Sequence, residues 1–323
     1  MKCFLLGGHI SNGGPDNVNR SLIENSNGEF LYIKCTNKFL RVLESFWKIL
    51  VSEQVLVSGV CAPRYYDFLK LLHKKYSYLM HGCIEFENEL NKLHLSKKTI
   101  ESEKKVLEGA EHIICVSEAY AEWVRQHYPK YEDKITYVNN GIKLDQRRKM
   151  EKSKFSVAVS GGNRCIKNNL EVSRAVRRLN EAGTPCKLYI FGRNYPDNEE
   201  IGETDYITYC GHLDKKPYYD KLDAISCYVL NSEVEPFGLV AADALNCNCS
   251  LLMSRNVGAK SIMRTEDTDI IQNPHNVDEI TEKLQYLFEH PNSERLYRSI
   301  DRQACSEEKA FQKIKAILED EVK

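Results

Sequence analysis

Short apolar runs alternate along this chain with longer stretches whose apolar residues recur every three or four positions. The short runs predict strands and the longer ones amphipathic helices. In the first half the strands fall at 2–6, 30–35, 55–59, 76–81, 112–116 and 135–138, and the helices between them at 37–51, 63–75, 85–108 and 118–127. In the second half the strands fall at 155–160, 186–191, 206–210, 225–230, 249–253 and 268–271, with helices at 169–182, 215–224, 239–245 and 259–263. The chain ends in three helical patterns at 276–290, 293–304 and 306–321. Such alternation predicts βαβ units, hence parallel sheets covered by helices. The period restarts near residue 150, where the charged, aperiodic stretch 145–154 reads as a linker. The expected architecture is α/β, with two Rossmann-like, doubly wound domains facing a cleft. The expected boundaries are 1–148, 149–305 and a final helix, 306–323, that crosses back to the first domain. Ligands of such folds bind beyond the carboxyl ends of the strands.

Composition narrows the class. The 323 residues are 42% hydrophobic and 28% charged, with 17 Gly and 9 Pro, which excludes a disordered or collagen-like chain. Residues 1–150 carry 22 Lys+Arg against 18 Asp+Glu, and the remainder 23 against 28. A net charge of -1 lacks the basic excess of a dedicated nucleic-acid binder. Twelve cysteines lie mostly in short apolar runs and form no CxxC pair, so reduced, buried thiols are expected. With no apolar run of membrane-spanning length and no secretory pattern at the start, the expected location is cytoplasmic.

Three loops carry candidate chemistry. After the first strand comes Gly7-Gly8 and then Gly13-Gly14-Pro15-Asp16, with Pro15 or Asp16 placed to open a helix. This is neither GxGxxG nor a P-loop, and a tight turn and a ligand loop both fit it. After the first strand of the second half comes Gly161-Gly162-Asn163-Arg164-Cys165-Ile166-Lys167. Two cations at a helix start oppose the helix dipole, and a bound anion explains them better than solvation. The third segment is Glu235-Pro236-Phe237-Gly238-Leu239, with Asp243 two turns into the helix that follows. A helix start offers N–H groups to phosphate, and flanking carboxylates suit sugar hydroxyls.

Glu235-Pro236-Phe237-Gly238 with an acid eight positions after the Glu resembles the E-x7-E signature of family 4 glycosyltransferases, which have the GT-B fold. Four further segments resemble family segments in order and position: Gly13-Gly14-Pro15-x-Asn17-Val18-Asn19, Val116-Ser117-Glu118, Asn139-Asn140-Gly141-Ile142 and Cys210-Gly211-His212-Leu213. Gly162-x-Arg164-x-x-Lys167 resembles the family's diphosphate-binding pair. The resemblance implies a retaining transfer of a hexose from a nucleotide sugar to a hydroxyl, by a front-face mechanism with no assigned protein nucleophile. It implies that Glu235 holds donor-sugar hydroxyls and Asp243 the ribose. Phe237, Gly238 and Leu239 would present backbone N–H groups to the diphosphate, and Arg164 and Lys167 would neutralise it as it leaves. Gly13 and Gly14 would approach the donor, and His81 would act near the transferred sugar. A loop histidine satisfied by its neighbours is the plain alternative for His81. Asp243 stands where the family has a second Glu, and the Arg-to-Lys spacing is shorter than the common pattern.

The resemblance also implies no cofactor and no metal, with a UDP-sugar favoured over a GDP-sugar as donor and a glycan or lipid-linked acceptor. The implied setting is synthesis of a cell-surface polysaccharide or glycolipid. A non-catalytic subunit that binds the nucleotide sugar or a partner is the competing class. Asp267-Thr268-Asp269 spells a metal motif of another fold but reads here as a polar turn before a strand. The basic, aromatic stretch 70–78, with Lys92, Lys97, Lys98, Lys104 and Lys105, fits either a solvated helix face or peripheral contact with the inner face of a membrane.

Overall fold

Strands that are apolar at every position have no face to offer water, and they become the centres of parallel sheets. The computed structural model describes residues 2–11, 13–92, 94–145, 151–162, 164–193, 201–202 and 204–320. The chain divides into two units, one of Met1–Glu89, Leu93–Ile142 and Gln303–Lys323, the other of Leu90–Lys92 and Lys143–Arg302. In chain order the elements of the first half are β1 (Cys3–Leu6), α1 (Gly14–Asn25), β2 (Phe30–Leu31), α2 (Lys38–Val51), β3 (Gln54–Ser58), α3 (Pro63–Leu71), β4 (Tyr76–Met80), α4 (Ile84–Asn91), α5 (Lys97–Gly109), β5 (Ile113–Cys115), α6 (Glu118–His127) and β6 (Ile135–Tyr137). Its sheet runs β2-β1-β3-β4-β5-β6, all parallel, with β1, β3 and β4 buried throughout. The strand order reverses between β1 and β3.

The elements that follow are β7 (Ser153–Ser160), α7 (Asn169–Glu181), β8 (Lys187–Phe191), β9 (Ile207–Gly211), α8 (Lys215–Leu222), β10 (Ile225–Leu230), α9 (Val240–Asn246), β11 (Ser250–Ser254), β12 (Ile270–Ile271), α10 (Val277–Glu289), α11 (Ser293–Ser299) and α12 (Glu307–Asp320). The second sheet is also parallel, in the order β12-β11-β10-β7-β8-β9. Its order reverses between β7 and β10. The core beneath it joins Val157, Val159, Leu188, Ile190, Cys227 and Val229 of the sheet to Val172, Val176, Leu179, Leu284 and Leu287 of α7 and α10.

The final helix belongs to the first unit. Phe311 of α12 meets Phe30 edge-on at 5.3 Å, and Lys315 pairs with Glu29 at 2.6 Å. Gly141 explains the close approach: a Cβ there would lie 2.3 Å from the Glu307 Cα. The Ile142 N–H donates to Cys305 O at 2.9 Å.

Several sequence expectations need correction. The helix expected over 85–108 is two helices. Lys92 and His94 adopt left-handed φ of 51° and 52°, and the Ser96 hydroxyl accepts from Thr99 N to start α5. The first helix opens at Gly14, with Gly13 as its cap, not at Pro15 or Asp16. The third helix stops at Leu71, short of residue 75. The segment near 259–263 is a single 3-10 turn, Gly258–Ile262. Of the linker at 145–154, residues 146–150 lie outside the described residues, and Ser153 already belongs to β7. The aromatic residues of the stretch 70–78 do not form a surface: Tyr76 and Tyr78 are buried in β4. All twelve cysteines are free thiols, seven of them buried. Among the described residues no helix is long and apolar enough to cross a membrane.

Candidate functional site

The strongest constellation lies at the switch point of the second sheet, where the chain leaves β7 and β10. β7 ends at Ser160 and turns through Gly161 and Gly162, at φ 89° and 62°. A Cβ on Gly161 would sit 2.7 Å from the Lys167 Cγ and 3.3 Å from the Arg164 Nη2. Its absence lets both cationic side chains lie across the backbone. A Cβ on Gly162 would sit 1.8 Å from the Arg193 carbonyl oxygen, and the Gly162 N–H donates to Phe191 O at 2.8 Å. Asn169, first in α7, donates to Ser160 O at 3.1 Å and to Gly162 O, which staples the turn.

The loop after β10 is anchored from both sides. The Glu235 N–H donates to Asn256 O at 3.1 Å, and its carbonyl accepts from Gly258 N at 2.9 Å. Its carboxylate accepts from the Lys167 ammonium and from the Ser232 hydroxyl at 3.3 Å. The ion-paired side chains are 13% and 15% exposed, so solvent screens the pair weakly. Gly238 turns at φ 89°, where a Cβ would sit 3.1 Å from the Glu235 Cγ. Phe237 is buried, and its carbonyl accepts from Ala259 N at 2.6 Å. Leu239 caps α9. Asn168, in the left-handed region, donates to Asn231 O at 3.1 Å and to the Glu233 carboxylate at 3.3 Å, tying the β7 loop to the β10 loop. Arg164 has no carboxylate partner among the described residues. The arrangement is a glycine turn carrying a guanidinium with no carboxylate partner among the described residues and an ammonium shared with a carboxylate.

Asp243 lies in the first turn of α9, one turn nearer its start than the sequence suggested. Its carboxylate accepts from the Tyr219 hydroxyl of α8. Burial raises the Asp243 pKa, and that hydrogen bond pulls it back. Burial, and then the charge and hydrogen bond of Asp243, push the Tyr219 phenol far up. No motif pointed to Tyr219, since its relation to Asp243 exists only in the folded chain.

The first unit has its own polar chain at the β1/β3 switch point. His81 directly follows β4, and its Nε2 lies 2.8 Å from the Ser58 Oγ at the end of β3. Ser58 donates to the Asn19 Oδ1 at 2.5 Å, and the Asn19 amide nitrogen donates to Gly8 O at 2.6 Å. That second bond fixes which way the Asn19 amide faces. The only proton of Ser58 is therefore committed to Asn19, and His81 must donate from Nε2. Nδ1 is left with its lone pair. Burial lowers the His81 pKa to about 4, against a small opposing pull from Asp16. His81 is neutral at pH 7. Asn19 and Ser58 were not legible as site residues. Their clue is Gly7: a Cβ there would meet the Asn19 Nδ2 at 2.8 Å and the Ser58 Cβ at 2.9 Å.

Gly13 and Gly14 sit at the exposed start of α1, and a Cβ on Gly14 would meet nothing within 4 Å. Packing does not demand glycine there, whereas it does at Gly7, where a Cβ would also lie 2.9 Å from the Ser58 carbonyl oxygen. Asp269 is a structural carboxylate, fully buried and bound by Arg295 at 2.7 and 2.8 Å and by Asn292 at 2.7 Å.

Two parallel six-stranded sheets, each with glycine loops at its switch point, define an α/β protein of the GT-B fold. Residues 143–306 match the glycosyl transferases group 1 family, and 56–146 match Glycosyltransferase Family 4. The chain belongs to the glycosyl transferases group 1 family. No curated protein matches it in sequence. Among solved structures it is similar to Anabaena Alr3699/HepE in complex with UDP and glucose, at 12% identity over 99% of this chain and 100% of that one, TM-score 0.74. It is also similar to sucrose-phosphate synthase (tll1590) from Thermosynechococcus elongatus, at 15% identity over 98% of each chain, TM-score 0.74. The lipopolysaccharide outer core galactosyltransferase WaaB, in its apo form, aligns at 14% identity over 99% of this chain and 100% of that one, TM-score 0.66.

Proposed function

We propose that this chain transfers a hexose from a UDP-sugar to a hydroxyl acceptor with retention of anomeric configuration. The observation that carries the reading is the Lys167–Glu235 pair beside Arg164 on the Gly161 turn. The two cations take the diphosphate, and Glu235 exchanges Lys167 for hydroxyls of the donor sugar. The backbone of Phe237, Gly238 and Leu239 lies against the diphosphate, and Asp243 takes the ribose. As the sugar–oxygen bond breaks, the electron pair stays on the diphosphate, where Arg164 and Lys167 stabilise it. The acceptor hydroxyl bonds to the anomeric carbon on the same face and gives its proton to the departing diphosphate. His81 acts on the transferred sugar as a neutral hydrogen-bond partner, and Gly13 and Gly14 leave room for the donor. UDP is preferred to GDP because the similar Anabaena structures hold UDP, UDP-glucose, or UDP and glucose. The product belongs to a surface glycan or glycolipid.

A thermal-shift series with UDP, GDP and their sugar conjugates tests the donor. The expected result is a shift with the UDP series, kept in EDTA and lost in Arg164→Ala. No shift with any nucleotide overturns the reading. The anomeric proton coupling of the product, read by NMR, tests retention. One observation favours a non-catalytic nucleotide-sugar-binding subunit: the Asp243 carboxylate already holds the Tyr219 hydroxyl. Binding of the UDP-sugar with no turnover by either the wild type or Asp243→Glu would select that reading.

A further inference from the structure

Helix α2 turns its apolar side outward. Phe39, Leu40, Leu43, Trp47, Leu50 and Val51 are 70%, 50%, 51%, 59%, 55% and 44% exposed. At 100° per residue they fall within an arc of about 120°, one continuous stripe along the helix. The opposite side, with Ser45, Lys48 and Ile49, is buried. The one acid of the helix borders the stripe, and its carboxylate is committed to neighbouring groups. Glu44 accepts from the Lys34 and Cys35 N–H groups at 3.0 and 2.8 Å and pairs with Lys48 at 2.6 Å. Leu71, the last residue of α3, and Leu72, which follows it, are 73% and 37% exposed. They are held near the end of α2, because the Lys74 ammonium two residues on donates to Ile49 O at 2.7 Å and to Ser52 O. Lys34 and Lys38 are exposed at the start of the helix, and Lys70 is exposed beside Leu71.

We propose that this face of α2 docks the chain on the surface of an anionic lipid bilayer. Three features select lipid over a protein partner. The stripe has only the Trp47 indole N–H to offer, whereas protein interfaces carry about one hydrogen bond per 100–200 Å². Acyl chains ask for none. Trp and Phe among leucines, with cations at the margin, are what an interfacial helix presents to headgroups and the outer acyl region. The exposed charge at the helix start is positive, which complements an anionic surface. With 14 residues, α2 is too short to span a bilayer and must lie along it.

The test is co-sedimentation of the full chain with vesicles of pure phosphatidylcholine and with vesicles half phosphatidylglycerol. Binding is expected to the anionic vesicles, with a blue shift of tryptophan emission that is absent in Trp47→Phe. Leu43→Glu with Trp47→Glu should abolish binding. Lys34→Glu with Lys38→Glu, which leaves the apolar stripe intact, should weaken it on the order of tenfold or more. The proposal is overturned if the wild type stays in solution with anionic vesicles, or if both double variants bind as the wild type does. Self-association in sedimentation velocity, removed by Leu43→Glu with Trp47→Glu and unaccompanied by vesicle binding, would assign the face to a second copy and also overturn it. None of these outcomes depends on the identity of the sugar donor.

Discussion

Protons at His81 are placed by residues behind it, and two measurable effects follow. An unfolded histidine takes up its proton near pH 6.5 and the folded His81 near 4. The unfolded chain binds the proton first as pH falls. The contribution to stability is therefore whole above pH 6.5 and is lost as the pH drops from 6.5 toward 4. Urea unfolding of wild type and His81→Gln should show the difference between them shift by about 2 kcal/mol at most between pH 7 and pH 5, with the wild type losing more. Ser58→Ala removes the acceptor of the Nε2 proton and frees the ring. As a positioning residue, Ser58 should cost about tenfold in kcat with KM little changed, and Ser58→Thr should restore most of it. Gly161→Ala combines a left-handed φ with a Cβ pressed on Lys167, and about 1–2 kcal/mol of stability should be lost in thermal unfolding. Arg164, Lys167 and Glu235 were legible because glycines and prolines mark the loops that carry them. Tyr219, Ser58 and Asn19 were not, because their roles come from partners 24 and 39 positions away.

At the scale of elements, the parallel strands were legible because burial on both faces leaves an unbroken apolar run. Ile225–Leu230 is such a run, and it is β10 to the residue. The break between α4 and α5 was not legible, since apolar spacing continues across it. What enforces it is Glu103, a buried carboxylate of α5 that accepts from Ile84 N at 2.7 Å and Glu85 N at 2.8 Å at the start of α4. Burial raises its pKa against the pull of those two bonds. Glu103→Ala strips α4 of its cap, and denaturant unfolding should register a loss of about 1–3 kcal/mol. For α2 the period revealed the helix but not its outward side. Periodicity measures how strongly a helix is sided, and only packing against β1 and α3 decides which side is covered.

For the whole molecule, the telling feature is a chain that leaves its first unit at Ile142 and returns to it at Gln303. The last helix is then part of the first unit's core, although some 160 residues intervene. Phe311→Ala removes the ring that covers Phe30 and should cost about 3 kcal/mol in the unfolding of the first unit. Titration with UDP, if the second unit holds the donor, should keep its midpoint in that variant at temperatures where both units are folded.

Lys167 and Glu235 neutralise one another within the second unit. An anion that recruits only the ammonium leaves behind a carboxylate that, among the described residues, keeps only the Ser232 hydroxyl, a loss on the order of 1–3 kcal/mol. Inorganic phosphate and UDP bring nothing to offset it. In the proposed reading a sugar nucleotide brings negative charge to the lysine and hydroxyls to the glutamate at once. Under the proposed function the pair would thus act as a two-key lock, in which discrimination comes from the partner that a smaller ligand would strand.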